Sequence, residues 1–266
     1  MKRLVGCLAV VMLLAVPVLA SFSAAELEKM ATKDVIPEIR MAAGLALADY
    51  YAANKTAAEL EALAKTGETA AIRSAAGLAL ERKYIGGKKT RAQLLAQLIG
   101  GATPELRGAA VSVLQEYFFT LSGDDLMAYV RSGTNPEVRY AAAKAYFFRN
   151  RSKFARADLE AICKDTANAD GYRKAAAELL AGTYLFPFNT ALSQAELEAQ
   201  ALEGENEYLR KAAAIALTNL LIKSDMTETE LYKKVVSFFL DDSLSEEYKW
   251  AYERALAARW AAGLAG

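Results

Sequence analysis

The stretch TNPEVRYAAAKAYFF, residues 134–148, combines a helix start with a closely packing helix face. Asn135 is a residue type that caps helix N-termini, and Pro136 suits the first helical position. Arg139 comes next, and a run of alanines follows it. Alanine both favours the helix and lets a neighbouring helix approach closely. Because the same arrangement recurs along the chain, this stretch predicts the fold.

The arrangement occurs seven times. The copies read PEIRMAAGLAL from residue 37, AAIRSAAGLAL from 70, PELRGAAVSVL from 104, PEVRYAAAKAY from 136, DGYRKAAAELL from 170, EYLRKAAAIAL from 207 and EEYKWAYERAL from 246. Their basic residues lie 32 to 39 residues apart, at Arg40, Arg73, Arg107, Arg139, Arg173, Arg210 and Lys249. Self-similarity at such a period is the signature of a stacked repeat array.

Each copy predicts one helix, here called B, and a second helix, A, precedes it. Counted from the basic residue, positions +2 and +3 are alanines in six copies, and +7 is a leucine in six. These positions share one helix face and predict a packing seam. Upstream, a Ser or Thr stands three residues before a Glu, Gln or Asp in six repeats, which predicts capping boxes. The pairs are Ser23/Glu26, Thr56/Glu59, Thr90/Gln93, Ser122/Asp125, Ser193/Glu196 and Thr227/Glu230.

The predicted fold class is therefore all-α, an α-solenoid (superhelix) of about seven stacked helical hairpins. One hairpin is too small to bury its own apolar face, so neighbouring hairpins build a continuous core. We expect a single array over residues 21–266, with no second domain. The expected repeats are about 23–54, 55–88, 89–121, 122–153, 154–190, 191–225 and 226–266.

The B-helix pattern resembles the HEAT-repeat family, in particular its short bacterial HEAT-like (PBS-lyase-type) form with P-E-[VIL]-R-x-A-A-x-x-[AV]-L. The resemblance covers about residues 23–260; the wider spacing of repeats five to seven and Lys249 depart from it. It implies that the recurring arginine bonds to adjacent repeats and forms a structural ladder. The residues concerned are Arg40, Arg73, Arg107, Arg139, Arg173 and Arg210.

The first twenty residues form a segment of their own. Lys2 and Arg3 precede an unbroken apolar run that ends at Ala20. This is the pattern of a secretory signal peptide. We expect cleavage there and a periplasmic or secreted location. The alternative is an uncleaved anchor, the only membrane contact that the sequence indicates. The apolar run is short for a membrane span and contains Pro17.

The composition argues against catalysis. The 266 residues include no histidine, which removes the commonest general base and metal ligand. Cys163 lies among apolar neighbours and has no histidine partner, so it is interpreted as a core thiol rather than a nucleophile. No phosphate-binding, nucleotide-binding or metal-spaced motif occurs, so we expect no enzyme activity, no cofactor and no metal. The formal net charge of zero argues against nucleic-acid binding.

The remaining candidate is a surface, the B-helix face opposite the alanine seam, which in related solenoids is concave. This stripe carries Met41, Leu45, Leu78, Tyr140, Lys144, Phe147, Lys174, Lys211, Ile215, Trp250 and Arg254. Its mixture of aromatic, aliphatic and cationic side chains suits a protein or peptide partner. The functional hypothesis is an exported, non-catalytic scaffold. The alternative is an envelope glycan- or peptidoglycan-binding module that uses the aromatic side chains.

Overall fold

The structure is a computed structural model that describes residues 22–87, 89–133, 135–186 and 191–265. The predicted signal segment therefore lies outside the described residues. Within these ranges the chain forms fourteen α-helices, one 3-10 turn (Arg151–Lys153) and no strand. The helices are α1 (Ala24–Lys33), α2 (Pro37–Asn54), α3 (Ala57–Thr66), α4 (Ala70–Gly86), α5 (Arg91–Gly100), α6 (Pro104–Phe118), α7 (Gly123–Ser132), α8 (Pro136–Arg149), α9 (Arg156–Lys164), α10 (Asp170–Leu185), α11 (Gln194–Glu203), α12 (Glu207–Lys223), α13 (Glu228–Phe238) and α14 (Glu246–Ala265).

Consecutive helices pair into seven hairpins, with odd-numbered A helices and even-numbered B helices. Each A helix packs against its own B helix, and each B helix packs against the B helix of the next hairpin. Most A helices also contact the following B helix. The predicted all-α solenoid of stacked hairpins is confirmed.

Side-chain capping sets where the A helices begin. Five of the six predicted capping boxes are complete; in α3, for example, Thr56 Oγ1 accepts the Glu59 N–H and Glu59 accepts the Thr56 N–H at 2.7 Å. At α7, Ser122 accepts the Asp125 N–H, but the return hydrogen bond to Asp125 comes from the Ser122 hydroxyl. The shorter aspartate side chain accounts for this difference.

The caps of the B helices also join neighbouring hairpins. Thr103 Oγ1 accepts the N–H of Leu106 in its own helix and donates to the carbonyl of Ala64, in the A helix of the preceding hairpin, at 3.0 Å. Thr69, Asn206 and Ser245 make the same backward bond, to Ala31, Cys163 and Ala201. One polar side chain therefore satisfies a helix start and fixes the position of the previous layer.

Small residues set the distance between successive B helices. Ala75, Ala109 and Ala141, the seam positions of three consecutive repeats, are all buried. Gly44 in α2 lies against the start of α4, where a Cβ atom would come within 2.4 Å of the Ala71 carbonyl oxygen. The obstacle is backbone, which cannot rotate aside, so Gly44 is required for this close approach.

Replacing Gly44 with alanine is expected to lower the free energy of unfolding by about 1–3 kcal/mol, because α4 must move away. Gly182 in α10 is the matched control, since a Cβ there would meet nothing within 4 Å. Gly182→Ala is expected to be neutral or to stabilise by about 0.5–1 kcal/mol, through the higher helix propensity of alanine. Urea denaturation of the two variants tests this, and equal effects would contradict the close-approach explanation.

The stack of hairpins closes on itself. The last B helix, α14, packs against the first, α2, as it does against α12, and α13 also contacts α2. Trp260 in α14 makes an edge-to-face contact with Phe22, just before α1, with ring centroids 5.5 Å apart. The seven B helices therefore form an inner ring, and the A helices lie outside it. The sequence analysis anticipated stacking but not this closure.

The recurring arginines lie between the inner and outer layers. Five of them donate to the carbonyl at the end of the A helix in their own hairpin, as Arg107 does to Gly101 at 2.9 Å. The others are Arg40, Arg73, Arg139 and Arg210. Contacts to the next hairpin join Arg107 to Glu137 at 3.0 Å, Arg210 to Glu247 at 3.3 Å and Arg73 to Glu105 at 3.9 Å. Arg173 pairs with Asp170 in its own helix and lies over the ring of Tyr208 in the next.

Candidate binding site at the centre of the ring

Closure of the array places the inner faces of all seven B helices around one central space. Residues from these helices line two adjoining cavities, each of about 610 Å³. Trp250 and Glu246, both in α14, line the two cavities in common. Volumes of this size fall in the range of small-ligand sites rather than of surfaces that hold a folded domain.

The acidic cavity, defined here by its lining from α2, α4, α6 and α14, combines carboxylates with an apolar wall. Its apolar side chains include Met41, Leu45, Leu78 and Trp250. The carboxylates are Glu38, Glu81, Glu105, Glu246 and Glu253. Among the described lining residues Arg254 is the one cationic side chain, and its guanidinium lies 4.5 Å from the centre of the Trp250 ring.

Glu253 is the most perturbed acid of this cavity. It is 9% exposed, and burial together with the nearby charges of Glu38 and Glu246 raises its pKa to about 8. Lys249 and Arg254 oppose this rise without cancelling it. Burial also lowers the pKa of Arg254, while Glu81 and Glu253 favour its charged form. A carboxyl group with such a pKa can bind or release a proton near neutral pH.

The lysine cavity, defined here by its lining from α8, α10, α12 and α14, has a different character. Tyr140, Lys174 and Lys211 lie inside it, and Glu137, Glu207 and Glu247 are among its other lining residues. The ammonium of Lys174 is 4.2 Å from the centre of the Tyr140 ring.

Lys144 lies beside this cavity. Its ammonium pairs with Glu178 at 3.1 Å, and the Tyr140 hydroxyl also donates to Glu178. Burial lowers the pKa of Lys211, and the neighbouring Lys174 and Lys144 lower it further. The lining also includes Asp170 and Glu246, so its two lysines are outnumbered by carboxylates and the cavity as a whole does not favour an anionic group.

Most of the predicted stripe lines this central space. Met41, Leu45, Leu78, Trp250 and Arg254 line the acidic cavity, and Tyr140, Lys174, Lys211 and again Trp250 line the lysine cavity. Ile215 is half-buried against the core and lines neither cavity described here. The stripe is thus the interior of a ring rather than the concave face of an open array.

Phe147 was included in the stripe as a partner-binding residue, but the structure buries it. It is 1% exposed, and its ring centroid lies 4.7 Å from that of Tyr172 and 5.0 Å from that of Phe154. Phe154 follows the 3-10 turn Arg151–Lys153, which brings the chain back over the end of α8. Phe147 is consequently a core residue and not available to a ligand.

The inner carboxylates Glu81 and Glu253 are not among the residues predicted from the sequence. The acids that the sequence pattern indicates stand at helix starts, where carboxylates favour the helix dipole, whereas these two lie farther along the B helices. Glu253 occupies position +4, where the other six copies carry small or apolar residues: Gly44, Gly77, Val111, Ala143, Ala177 and Ala214. A single carboxylate at an otherwise small, apolar position is the signal that could have identified it.

The remaining reactive groups do not extend the site. Cys163 is fully buried, and burial raises the pKa of its thiol to about 12, which disfavours the thiolate. Across the described ranges, no group of three or more His, Cys, Asp or Glu side chains is arranged to hold a metal ion. In the same part of the chain, none of the helices has the length and apolar character that a membrane crossing needs.

Comparison with known proteins returns no match to the chain, whether against protein-family models, curated proteins or solved structures.

Proposed function

We propose that this protein is an exported, non-catalytic binding protein built from HEAT-like repeats, and that it receives an extended segment of a partner protein at the centre of its ring. The observation that carries the proposal is the closure of α14 onto α2, which places the B-helix faces around one central space. Export rests on residues 1–20 and the family assignment on the repeated B-helix pattern.

The size of the central cavities restricts which part of a partner protein can enter the ring. Two adjoining cavities of about 610 Å³ each have room for a few side chains but not for a folded domain. An extended segment presents alternating side chains and a polar backbone in a narrow cross-section. Trp250, Tyr140 and Arg254 in the cavity linings are residue types that dominate binding energy at protein interfaces.

The aromatic residues favour this partner over a glycan. A sugar ring needs the open face of an aromatic side chain, but Arg254 lies over Trp250 at 4.5 Å and Lys174 over Tyr140 at 4.2 Å. A cation therefore occupies one face of each ring. The glycan alternative is retained as an outcome of the experiment.

Peptide selection followed by calorimetry tests the proposal. Residues 21–266 would be screened against displayed random peptides and, in parallel, against soluble peptidoglycan fragments. We expect selected peptides to bind, and Trp250→Ala to weaken binding at least tenfold, as for an interface hot spot. Phe148→Ala is the matched control, because Phe148 is an exposed aromatic residue near the opposite end of its B helix and should leave binding unchanged.

Three outcomes would contradict the proposal. Peptides that bind Trp250→Ala as tightly as the unmodified protein would place the site outside the ring. Binding of peptidoglycan fragments without any peptide binding would favour the glycan alternative. Turnover of a bound probe would contradict the non-catalytic assignment.

A further inference from the structure

The acidic cavity contains more carboxylates than the protein neutralises. Glu105 and Glu246 have cationic partners, Arg73 at 3.9 Å and Lys249 at 3.6 Å. Glu38, Glu81 and Glu253 have no ion pair within 4.0 Å among the described residues. Arg254 is the single cation of the described lining that faces these three acids.

Two of these three acids, the buried Glu253 and the half-buried Glu38, have carboxyl oxygens without a hydrogen-bond partner in the described chain. Glu253 is 9% exposed and lines the cavity, and its carboxyl group makes no hydrogen bond to the rest of the described chain. Glu38 contributes a buried Oε2 atom that likewise has no hydrogen-bond partner. A buried polar group without a partner costs about 1–3 kcal/mol, and more if it is charged. A cationic or hydrogen-bond-donating ligand would offset this cost.

The wall next to these carboxylates is apolar. Met41, Leu45, Leu78 and Trp250 contribute the large apolar side chains of the lining. A small inorganic cation would need several oxygen ligands around it and would gain nothing from methylene and thioether groups. An ammonium or guanidinium group on an apolar stem matches both the carboxylates and the apolar lining. Its charged group pairs with the carboxylates, and its stem packs against the apolar side chains.

We propose that the acidic cavity binds an organic cation with an apolar stem, and that its natural form is a lysine or arginine side chain of the bound segment. That the cation belongs to a partner protein rests on the proposed function. That the ligand combines a positively charged group with an apolar chain does not. A free alkylamine has the same chemistry, and the experiment below separates the two sources.

Cation binding in this cavity is coupled to a proton. The charged groups around Glu253 are Glu38 from α2, Glu81 from α4 and Glu105 from α6, with Glu246, Lys249 and Arg254 from its own helix. With a pKa of about 8, Glu253 holds its proton at pH 7 when no ligand is bound. An entering cation favours the carboxylate, so the proton is released as the cation binds. Affinity should therefore rise about 50-fold between pH 6 and pH 8.

Titration calorimetry with three small probes tests the chemistry. We expect residues 21–266 to bind n-hexylammonium, and to bind hexan-1-ol and hexanoate at least tenfold more weakly. Glu253→Gln should remove the pH dependence, and Glu38→Gln should lower the affinity about tenfold. Glu203→Gln removes an exposed carboxylate outside the cavity and should change neither quantity. Circular dichroism would confirm that each variant is folded.

Two acetylated and amidated pentapeptides, Ala-Ala-Lys-Ala-Ala and the same sequence with norleucine for lysine, identify the source. Preference for the lysine peptide, lost in Glu253→Gln and Glu38→Gln, supports the proposal in full. Equal binding of both peptides, unaffected by these variants, would overturn the cation site and leave the proposed function intact. Binding of hexylammonium without either peptide supports the cation site and contradicts a protein segment as its source. If neither hexylammonium nor either peptide binds, the cation site is overturned. The peptide-display selection tests the proposed function separately.

Discussion

Replacing Trp260 with alanine is expected to lower the free energy of unfolding by about 3–5 kcal/mol, the range for loss of a buried aromatic side chain. Trp260 is 2% exposed, contacts Phe22 edge-to-face and donates its indole N–H to Glu228 at 2.9 Å. The substitution therefore removes packing and a hydrogen bond at the junction between the last and the first hairpin.

Hydrogen exchange can show whether this loss spreads across the junction. In a closed ring, weakening α14 also removes support from α2, some 200 residues away in the sequence. Amides of α2 should then lose protection in Trp260→Ala together with those of α14. Trp260→Phe is the control, since it keeps an aromatic ring against Phe22 and loses mainly the bond to Glu228, at about 1 kcal/mol. Unchanged protection of α2 in Trp260→Ala would indicate an open array.

The stability of the ligand-free protein should fall as pH rises, through Glu253. Its folded-state pKa of about 8 exceeds the ordinary value of 4.5, so the folded protein binds this proton more tightly than the unfolded chain does. The contribution is fully present below about pH 4.5 and is lost progressively as pH rises to about 8. We expect a loss of roughly 3–5 kcal/mol over that interval, at about 1.4 kcal/mol per pH unit.

Glu253→Gln isolates this effect, because glutamine cannot titrate. The variant should be more stable than the unmodified protein at pH 8.5, and the difference should shrink as pH falls below 5. Other acids act in the opposite sense: hydrogen bonds to Thr56 lower the pKa of the capping residue Glu59, for example, which favours stability above its titration range. Urea denaturation curves of the two proteins, measured at each pH and subtracted from each other, cancel the contributions of such acids. Parallel pH profiles would show that Glu253 does not hold the proton.

The hairpins were predictable because their signals are local. A capping pair such as Thr56/Glu59 lies within one helical turn, and a B-helix start such as Asn135–Pro136 specifies a boundary by its own chemistry. The fold class follows from repeating these signals, since a hairpin with one apolar face must stack. Each of these inferences needs only residues that are close together in sequence.

Ring closure was not predictable in the same way. It depends on the angle between successive B helices, which contacts such as Gly44 against Ala71 and Gly77 against Glu105 set separately at each junction. These angles add up over seven hairpins, so small side-chain differences decide whether the ends meet. Most of the predicted stripe lines the central space, but the place of Trp250 between the two cavities and the environment of Glu253 both follow from closure.

Closure also changes what the last hairpin is free to do. In a linear repeat protein the first and last repeats each have one face exposed to solvent. These faces must be polar to keep the protein soluble. Here α14 has a neighbour on each side, so neither of its flanks needs to be solubilising. That helix can instead place an acid and an indole at the centre of the molecule. The hairpins have a cyclic rather than a linear order, and circular permutation would change where the polypeptide starts without changing which hairpins are neighbours.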